Sequence, residues 1–136
     1  MGRYMKILVV DDESVSRKVL LKALESFGQC EEAEDGREAT AAFKRAWDES
    51  SPFDLLLLDL SMPDMDGREV IHQIRGLEKD MKAPNQGETK IVMVTSHSDE
   101  DTVLACLQAG CNDFIVKPVE QEILFEKLAR LGFDRY

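Results

Sequence analysis

The stretch Phe53-Asp54-Leu55-Leu56-Leu57-Leu58-Asp59 places four consecutive leucines directly before an aspartate. A short apolar run of this kind, followed within a few residues by a proline and a glycine, predicts a strand that is buried on both faces of a parallel sheet. Burying an unpaired carboxylate inside such a sheet would cost several kcal/mol. We therefore expect Asp59 to lie at the open end of the strand and to face a cation or water.

A second apolar run, Ile7–Val10, also ends in acids, at Asp11 and Asp12. If both runs are strands of one parallel sheet, three carboxylates meet at the same edge of that sheet. Like charges remain ionised together only when a cation offsets them. The three acids therefore predict a metal site, or a site that behaves like one.

Strand-like and helix-like segments alternate five times along the chain. Alternation at these lengths requires a parallel sheet with helices on both faces, so the predicted fold class is a doubly wound α/β fold. The predicted strands are Met5–Val10, Cys30–Ala33, Phe53–Leu58, Ile91–Val94 and Phe114–Val116. The predicted helices are Ser14–Phe27, Gly36–Ser50, Gly67–Leu77, Ser98–Gly110 and Glu120–Leu131.

Local signals add detail to the first helix and to one connection. Ser14 is the expected cap of the first helix, Gly28 is its expected end, and one apolar face is expected to be buried. The residues of that face are Val15, Val19, Leu20, Ala23, Leu24 and Phe27. The segment Gly76–Lys90 is rich in charged residues and turn formers, which predicts an extended surface loop.

Composition limits the classes of function. The chain has 136 residues, which fits one domain, and a formal net charge of −10, which disfavours binding to nucleic acid and to anionic membranes. No stretch approaches the roughly 20 apolar residues of a membrane span. Three cysteines without metal-ligand spacing fit a reducing compartment. We expect one cytoplasmic domain over residues 1–136, without an effector domain, whose partners are proteins or small cations.

Polar residues that could do chemistry follow four of the five predicted strands. In a doubly wound sheet, ligands bind at the carboxyl ends of the strands, where the strand order reverses. Oxygen ligands without histidine or cysteine favour a hard cation, Mg²⁺ before Ca²⁺. The residues at this edge are Asp11, Asp12, Glu13, Asp59, Thr95, Ser96, Lys117 and Pro118.

Lys117 and Thr95 would complete a pocket for a phosphoryl group. Lys117 supplies an ammonium group and Thr95 a hydroxyl donor, and together with a divalent ion they suit the charge on phosphoryl oxygens. A carboxylate can itself accept the phosphoryl group and become an aspartyl phosphate. Asp59 is the predicted acceptor because it ends the middle strand, between the other groups.

Five motifs in this order resemble the receiver domain of two-component response regulators, in particular the stand-alone type that resembles the chemotaxis response regulator. The resemblance covers nearly the whole chain and implies a flavodoxin-like fold with five parallel strands in the order 2-1-3-4-5. The motifs are Val9-Val10-Asp11-Asp12-Glu13, Leu58-Asp59-Leu60-Ser61-Met62-Pro63-Asp64-Met65-Asp66-Gly67, Val94-Thr95-Ser96, Ala109-Gly110-Cys111-Asn112-Asp113-Phe114 and Val116-Lys117-Pro118.

The resemblance implies which acid accepts the phosphoryl group and which acids bind the metal ion. Asp59 would be the phosphoacceptor. Asp12 and Asp59 would bind Mg²⁺ directly, together with the backbone carbonyl of Ser61, and Asp11 would act largely through a bound water.

The resemblance also implies roles around the phosphoryl group. Thr95 would hold one phosphoryl oxygen and Lys117 another, and the peptide bond after Lys117 is expected to be cis. Phe114 matches the aromatic residue that turns inward with the threonine when the domain is activated. Ser61 and His97 occupy positions that tune the lifetime of the phosphoryl group.

As a receiver domain, the protein would take its phosphoryl group from a phosphohistidine of a histidine kinase or a histidine phosphotransfer protein. Phosphorylation would reshape the face of the fourth helix, fifth strand and fifth helix, which contacts an output protein. The domain would promote only its own phosphorylation and dephosphorylation and act as a monomer or a weak, activation-dependent dimer.

Two other functions use similar residues. A haloacid-dehalogenase-like phosphatase also has a strand-end aspartate and Mg²⁺, but it needs a second aspartate two residues later, where this chain has Ser61. A non-phosphorylated pseudo-receiver would act as a constitutive interaction module. Such domains usually lack the acceptor, the acidic pair or the lysine, and this chain has all of them.

Overall fold

The leucine run forms the middle strand of a five-stranded parallel sheet. The computed structural model describes residues 5–60, 66–81, 88–96 and 100–134. The strands are β1 (Met5–Val10), β2 (Gly28–Ala33), β3 (Leu55–Asp59), β4 (Lys90–Thr95) and β5 (Asp113–Val116). The helices are α1 (Ser14–Leu24), α2 (Gly36–Asp48), α3 (Gly67–Met81), α4 (Glu100–Ala109) and α5 (Gln121–Arg130).

All strand pairs are parallel, and the strand order is β2-β1-β3-β4-β5. The doubly wound α/β class and the order 2-1-3-4-5 are therefore confirmed. The order reverses between β1 and β3, which are direct neighbours although β2 lies between them in sequence. That neighbour relation decides where the candidate site forms.

The leucines of β3 alternate between two apolar cores, one on each face of the sheet. Leu56 and Leu58 belong to the core that contains residues of α2 and α3, and Leu55 and Leu57 belong to the core that contains residues of α1 and α5. Burying one leucine fully contributes roughly 2 kcal/mol. An uninterrupted apolar run is thus the expected composition of a strand that has helices on both sides.

The first helix is shorter than predicted, and only part of its predicted apolar face, including Leu20 and Leu24, is buried. It ends at Leu24 rather than Phe27, and Gly28 begins β2, where a Cβ atom would overlap the carbonyl of Met5. Val15 and Val19 are 65% and 57% exposed, so the prediction that they are buried was wrong.

The buried residues of α1 are Arg17, Leu20 and Leu24. At about 100° per residue, these three point away from Val15 and Val19. The predicted cap at Ser14 was also wrong by one residue, because the N-cap is Glu13 and its side chain makes no capping hydrogen bond.

The predicted loop Gly76–Lys90 is partly helical. Helix α3 continues to Met81, so the prediction of a loop was wrong for residues 76–81, and residues 82–87 lie outside the described part. The other ends agree with the predictions to within two residues. Gly110 has a φ of +117°, which fits the predicted left-handed residue after α4, whereas the predicted cap Ser98 is outside the described residues.

No helix among the described residues is long and apolar enough to cross a membrane.

Arg75 explains why α3 extends beyond the predicted end. Its guanidinium donates to the carbonyl of Gly110 at 2.8 and 3.0 Å, to the carbonyl of Thr89 at 2.8 Å and to Asn112 Oδ1 at 3.0 Å. It also pairs with Glu78 Oε1 at 2.7 Å, and the second oxygen of Glu78 accepts from the amide of Thr89. The last turns of α3 are therefore bonded to the start of β4 and to the end of α4.

Arg75→Met should lower the free energy of unfolding by about 3 kcal/mol, because it leaves Oε1 of Glu78 and the backbone carbonyls of Thr89 and Gly110 without this donor. Arg130→Met is the matched control, since it removes an arginine whose pair with Glu126 is solvent-exposed and is worth less than about 1 kcal/mol. Urea unfolding of both variants measures the difference. Equal losses in the two variants would contradict the structural role assigned to Arg75.

Candidate functional site

The register between β1 and β3 brings two aspartates side by side. Val10 is paired with Leu58, so the next residues, Asp11 and Asp59, leave the sheet at the same edge. One carboxylate oxygen from each of Asp11, Asp12 and Asp59 lies within 4.8 Å of the others. Asp11 and Asp59 are buried, and Asp12 is exposed. The structure thus places the three predicted carboxylates together, with an opening on the side of Asp12.

The carboxylate of Asp11 is only half satisfied. Its Oδ1 accepts a hydrogen bond from the amide of Glu13 at 2.9 Å, whereas Oδ2 is buried and accepts no hydrogen bond from the described residues. Burial raises the pKa of Asp11, and the nearby charge of Asp59 raises it further. The hydrogen bond from the amide of Glu13 and the charge of Lys117 both lower this pKa, but the net shift is upward. A buried oxygen in this position needs a cation.

Lys117 provides one positive charge at the site. Its Nζ lies 3.2 Å from Oδ2 of Asp59 and 3.9 Å from Oδ2 of Asp11. The amide of Lys117 donates to the carbonyl of Thr95 at 2.7 Å, which ties the ends of β4 and β5 together. The Lys117–Pro118 bond is cis, as the resemblance implied. Thr95 is buried at the end of β4, the strand next to β3.

The donor set fits a magnesium ion. Three carboxylates offer only oxygen atoms, and the exposed position of Asp12 leaves space for the waters that Mg²⁺ retains. A second cation next to the free oxygen of Asp11 would also reduce the repulsion between the acids. The backbone carbonyl of Ser61, the other predicted ligand, lies outside the described residues.

The remaining predicted residues lie away from the carboxylates or outside the described part. Phe114 on β5 is half-buried and packs against the core of α2 and α3, with Nζ of Lys127 4.8 Å from the centre of its ring. Lys127 also pairs with Asp113 at 2.9 Å. The two predicted tuning positions, Ser61 and His97, are not described.

Arg17 is a residue near the site that the sequence interpretation missed. It is 8% exposed, and its Nη1 donates to the backbone carbonyl of Asp11 at 2.7 Å. Its Nε donates to Glu32 at 2.7 Å, and Glu34 lies 3.7 Å from Nη2. The signal in the sequence was the spacing: Arg17 falls three and seven residues before buried leucines of the same helix, on the face that packs inward.

The acidic cluster and the lysine at the switch point of this doubly wound sheet are the features expected of a receiver-type phosphoacceptor regulatory domain. The chain belongs to the family of response regulator receiver domains, whose model matches residues 7–129.

Relatives with this domain differ greatly in length. A chemotaxis protein CheY homolog of Campylobacter jejuni is 36% identical over 91% of this chain and 89% of its own length. Hybrid signal transduction histidine kinase L of Dictyostelium discoideum is 33% identical over 93% of this chain, but the match spans 7% of that kinase. The domain therefore makes up most of one relative and a small part of another.

A solved structure supports the same assignment. The co-crystal structure of the Saccharomyces cerevisiae histidine phosphotransfer protein Ypd1 with the receiver domain of its downstream response regulator Ssk1 matches with a TM-score of 0.82. The sequences are 28% identical, and the match covers 97% of this chain and 91% of the other. In that complex, a receiver domain of this fold is bound to a histidine phosphotransfer protein.

Asp11→Asn should stabilise the metal-free protein at neutral pH. Because the pKa of Asp11 is raised in the folded state, its contribution to stability is present at low pH and is lost as the pH rises through that raised value. The amide does not undergo this loss, so in EDTA the variant should have a higher free energy of unfolding than the wild type at neutral pH. Urea unfolding measures this difference as a function of pH.

The difference should shrink as the pH falls toward the ordinary pKa of an aspartate. Added Mg²⁺ should reverse its sign, because the ion stabilises only a folded chain that binds it. A wild type that remains less stable than Asp11→Asn at saturating Mg²⁺ would argue against a magnesium site that includes this carboxylate.

Proposed function

We infer that this receiver domain accepts a phosphoryl group from a phosphohistidine onto Asp59, with Mg²⁺ bound by Asp12, Asp59 and the carbonyl of Ser61, and with Asp11 acting largely through a bound water. The observation that carries this proposal is the position of Asp59. Its carboxylate belongs to the acidic cluster and lies 3.2 Å from Nζ of Lys117. A nucleophile, a site for a divalent ion and a fixed ammonium group are what phosphoryl transfer requires.

In the transfer, an oxygen of Asp59 forms a bond to phosphorus while the bond from phosphorus to the histidine nitrogen breaks. The imidazole leaves with the electron pair of that bond and is neutral after the transfer. Lys117 pairs with one phosphoryl oxygen, and the hydroxyl of Thr95 donates to another. Magnesium supplies the remaining positive charge for the phosphoryl oxygens. Hydrolysis of the aspartyl phosphate by water, promoted by the same site, resets the domain.

The face of α4, β5 and α5 presents the conformational change to a partner protein. When Thr95 moves toward the phosphoryl group, Phe114 turns inward and shifts an existing equilibrium between two conformations. Large apolar side chains are exposed on all three elements of this face. They are Leu104, Leu107, Val116 and Ile123. An apolar surface that changes shape suits a protein partner, and it also suits a weak dimer that forms on activation.

The proposal extends to the phosphodonor, the location and the lifetime of the phosphoryl group, as the resemblance implies. The phosphodonor is a histidine kinase or a histidine phosphotransfer protein, as in the complex of Ypd1 with the receiver domain of Ssk1. Residues 1–136 act as one receiver domain in the cytoplasm. Ser61 and His97 tune how long the phosphoryl group persists.

Asp59→Asn should abolish phosphorylation without loss of the fold, because an amide oxygen is a poor nucleophile. Intact-mass measurement after incubation with acetyl phosphate should find one added phosphoryl group on the wild type in Mg²⁺ and none in EDTA. Asp66→Asn is the matched control, since Asp66 is an exposed acid that pairs with Arg68 outside the acidic cluster. This control should be labelled like the wild type.

Persistent labelling of Asp59→Asn would show that a residue other than Asp59 accepts the phosphoryl group. A wild type that gains no mass and binds no beryllofluoride would favour the pseudo-receiver, which acts as an interaction module without phosphorylation.

Lys117→Ala should separate occupation of the site from the conformational response. Loss of a charge-assisted contact should weaken beryllofluoride binding roughly tenfold or more. At saturating beryllofluoride, amide NMR shifts of α4 and β5 should move in the wild type and stay nearly unchanged in the variant. Lys22→Ala, which removes an exposed lysine of α1, is the control and should respond like the wild type. A full response from Lys117→Ala would contradict the assigned role.

A further inference from the structure

We propose that Arg17 is a positioning residue of the metal site, which holds the backbone of Asp11 and thereby sets the affinity for Mg²⁺. The inference rests on the proposed function, because it concerns the ion that the acidic cluster would bind. Arg17 does not touch the ion or the phosphoryl group. It acts through the main chain of Asp11, whose carboxylate is a fully buried member of the cluster.

The contacts of Arg17 fix Asp11 from the side of α1. The amide of Asp11 donates to the carbonyl of Ala33 at 3.1 Å, so β2 holds one side of this residue. The carbonyl of Asp11 accepts from Nη1 of Arg17 at 2.7 Å. Because both backbone groups are bonded, the Asp11 backbone is held in one orientation.

The guanidinium is itself held in place from a second direction. Its Nε donates to Oε1 of Glu32 at 2.7 Å, and Oε1 of Glu34 lies 3.7 Å from Nη2. Both acids come from the end of β2 and the turn that follows it. A planar fork with several fixed donors can bridge a carbonyl and a carboxylate at the same time, which the single ammonium group of a lysine does less well.

Arg17 has two effects on a bound cation, and they have opposite signs. As a positive charge near Asp11, it repels Mg²⁺, although the charges of Glu32 and Glu34 offset part of this repulsion. As a donor to the carbonyl of Asp11, it keeps the carboxylate in the orientation that the cluster needs. Removing the charge tightens binding of Mg²⁺ if repulsion dominates, and weakens it if positioning dominates.

We expect positioning to dominate. Groups that orient metal ligands without touching the metal typically change metal affinity by a factor of 10 to 100. Repulsion acts across a partly neutralised ion pair and is smaller. Arg17→Met should therefore weaken Mg²⁺ binding by about tenfold. Arg17→Lys, which keeps the charge but loses the fork, should also weaken it.

Isothermal titration with MgCl₂, without any phosphodonor, measures the dissociation constants of the full-length wild type and variants. Lys18→Met is the control: it removes an exposed cation from the next position of the same helix and should leave the constant within about twofold, because an exposed charge is screened. Urea unfolding in EDTA gives the folded fraction of each variant. If the single variant is unstable, the double variant Arg17→Met/Glu32→Gln, which also removes the partner charge of Arg17, is titrated in its place.

The outcomes separate this inference from the proposed function. Weaker binding by folded Arg17→Met and by Arg17→Lys supports the positioning role. Unchanged or tighter binding by folded Arg17→Met overturns it, even if the variant is less stable, and full rescue by Arg17→Lys would show that charge alone matters. A wild type that does not bind Mg²⁺ overturns the magnesium site itself, independently of Arg17.

Discussion

The structure depends on a conflict between burial and charge at the ends of β1 and β3. Parallel pairing of these strands buries their apolar side chains in two cores and forces Asp11 and Asp59 to emerge next to each other. Two buried carboxylates in contact raise the free energy of the folded protein unless a cation offsets them. One buried oxygen of Asp11 has no hydrogen-bond donor among the described residues. This oxygen is therefore the part of the site that most needs a bound cation.

Two cations of the chain respond to this conflict in different ways. Lys117 reaches the carboxylates directly, but its side chain is flexible and a quarter exposed, so it can follow a phosphoryl group. Arg17 donates to the backbone carbonyl of Asp11 and to the carboxylate of Glu32 on β2. Lys117 is therefore suited to contact a phosphoryl group on Asp59, and Arg17 to hold the backbone of Asp11 in place.

Much of the candidate site could be predicted, because strand ends in a parallel sheet are short-range features. An apolar run that stops at an acid indicates both the strand and the position of the acid, and motif order identified Lys117 and Thr95. The errors concern contacts between distant segments. Val15 and Val19 form as plausible an apolar face as Leu20 and Leu24, and only packing against the sheet decides which face is buried. Helix α3 extends to Met81 because Arg75 binds groups 14 and 35 residues away, which no local pattern could reveal.

Periodicity and strand-end chemistry are local properties, so the amino-acid pattern was enough to predict the class of fold, the edge at which ligands bind and the acids that gather there. It also carried the motif order that identifies a response regulator receiver domain. Three properties could not be predicted from local patterns. They are the depth at which each carboxylate is buried, the oxygen of Asp11 that has no donor among the described residues, and the contact of Arg17 with the Asp11 carbonyl. These properties arise from the register of β1 against β2 and β3 and from the angle at which α1 packs on them. Both are set by the summed contacts of the whole core rather than by any one segment.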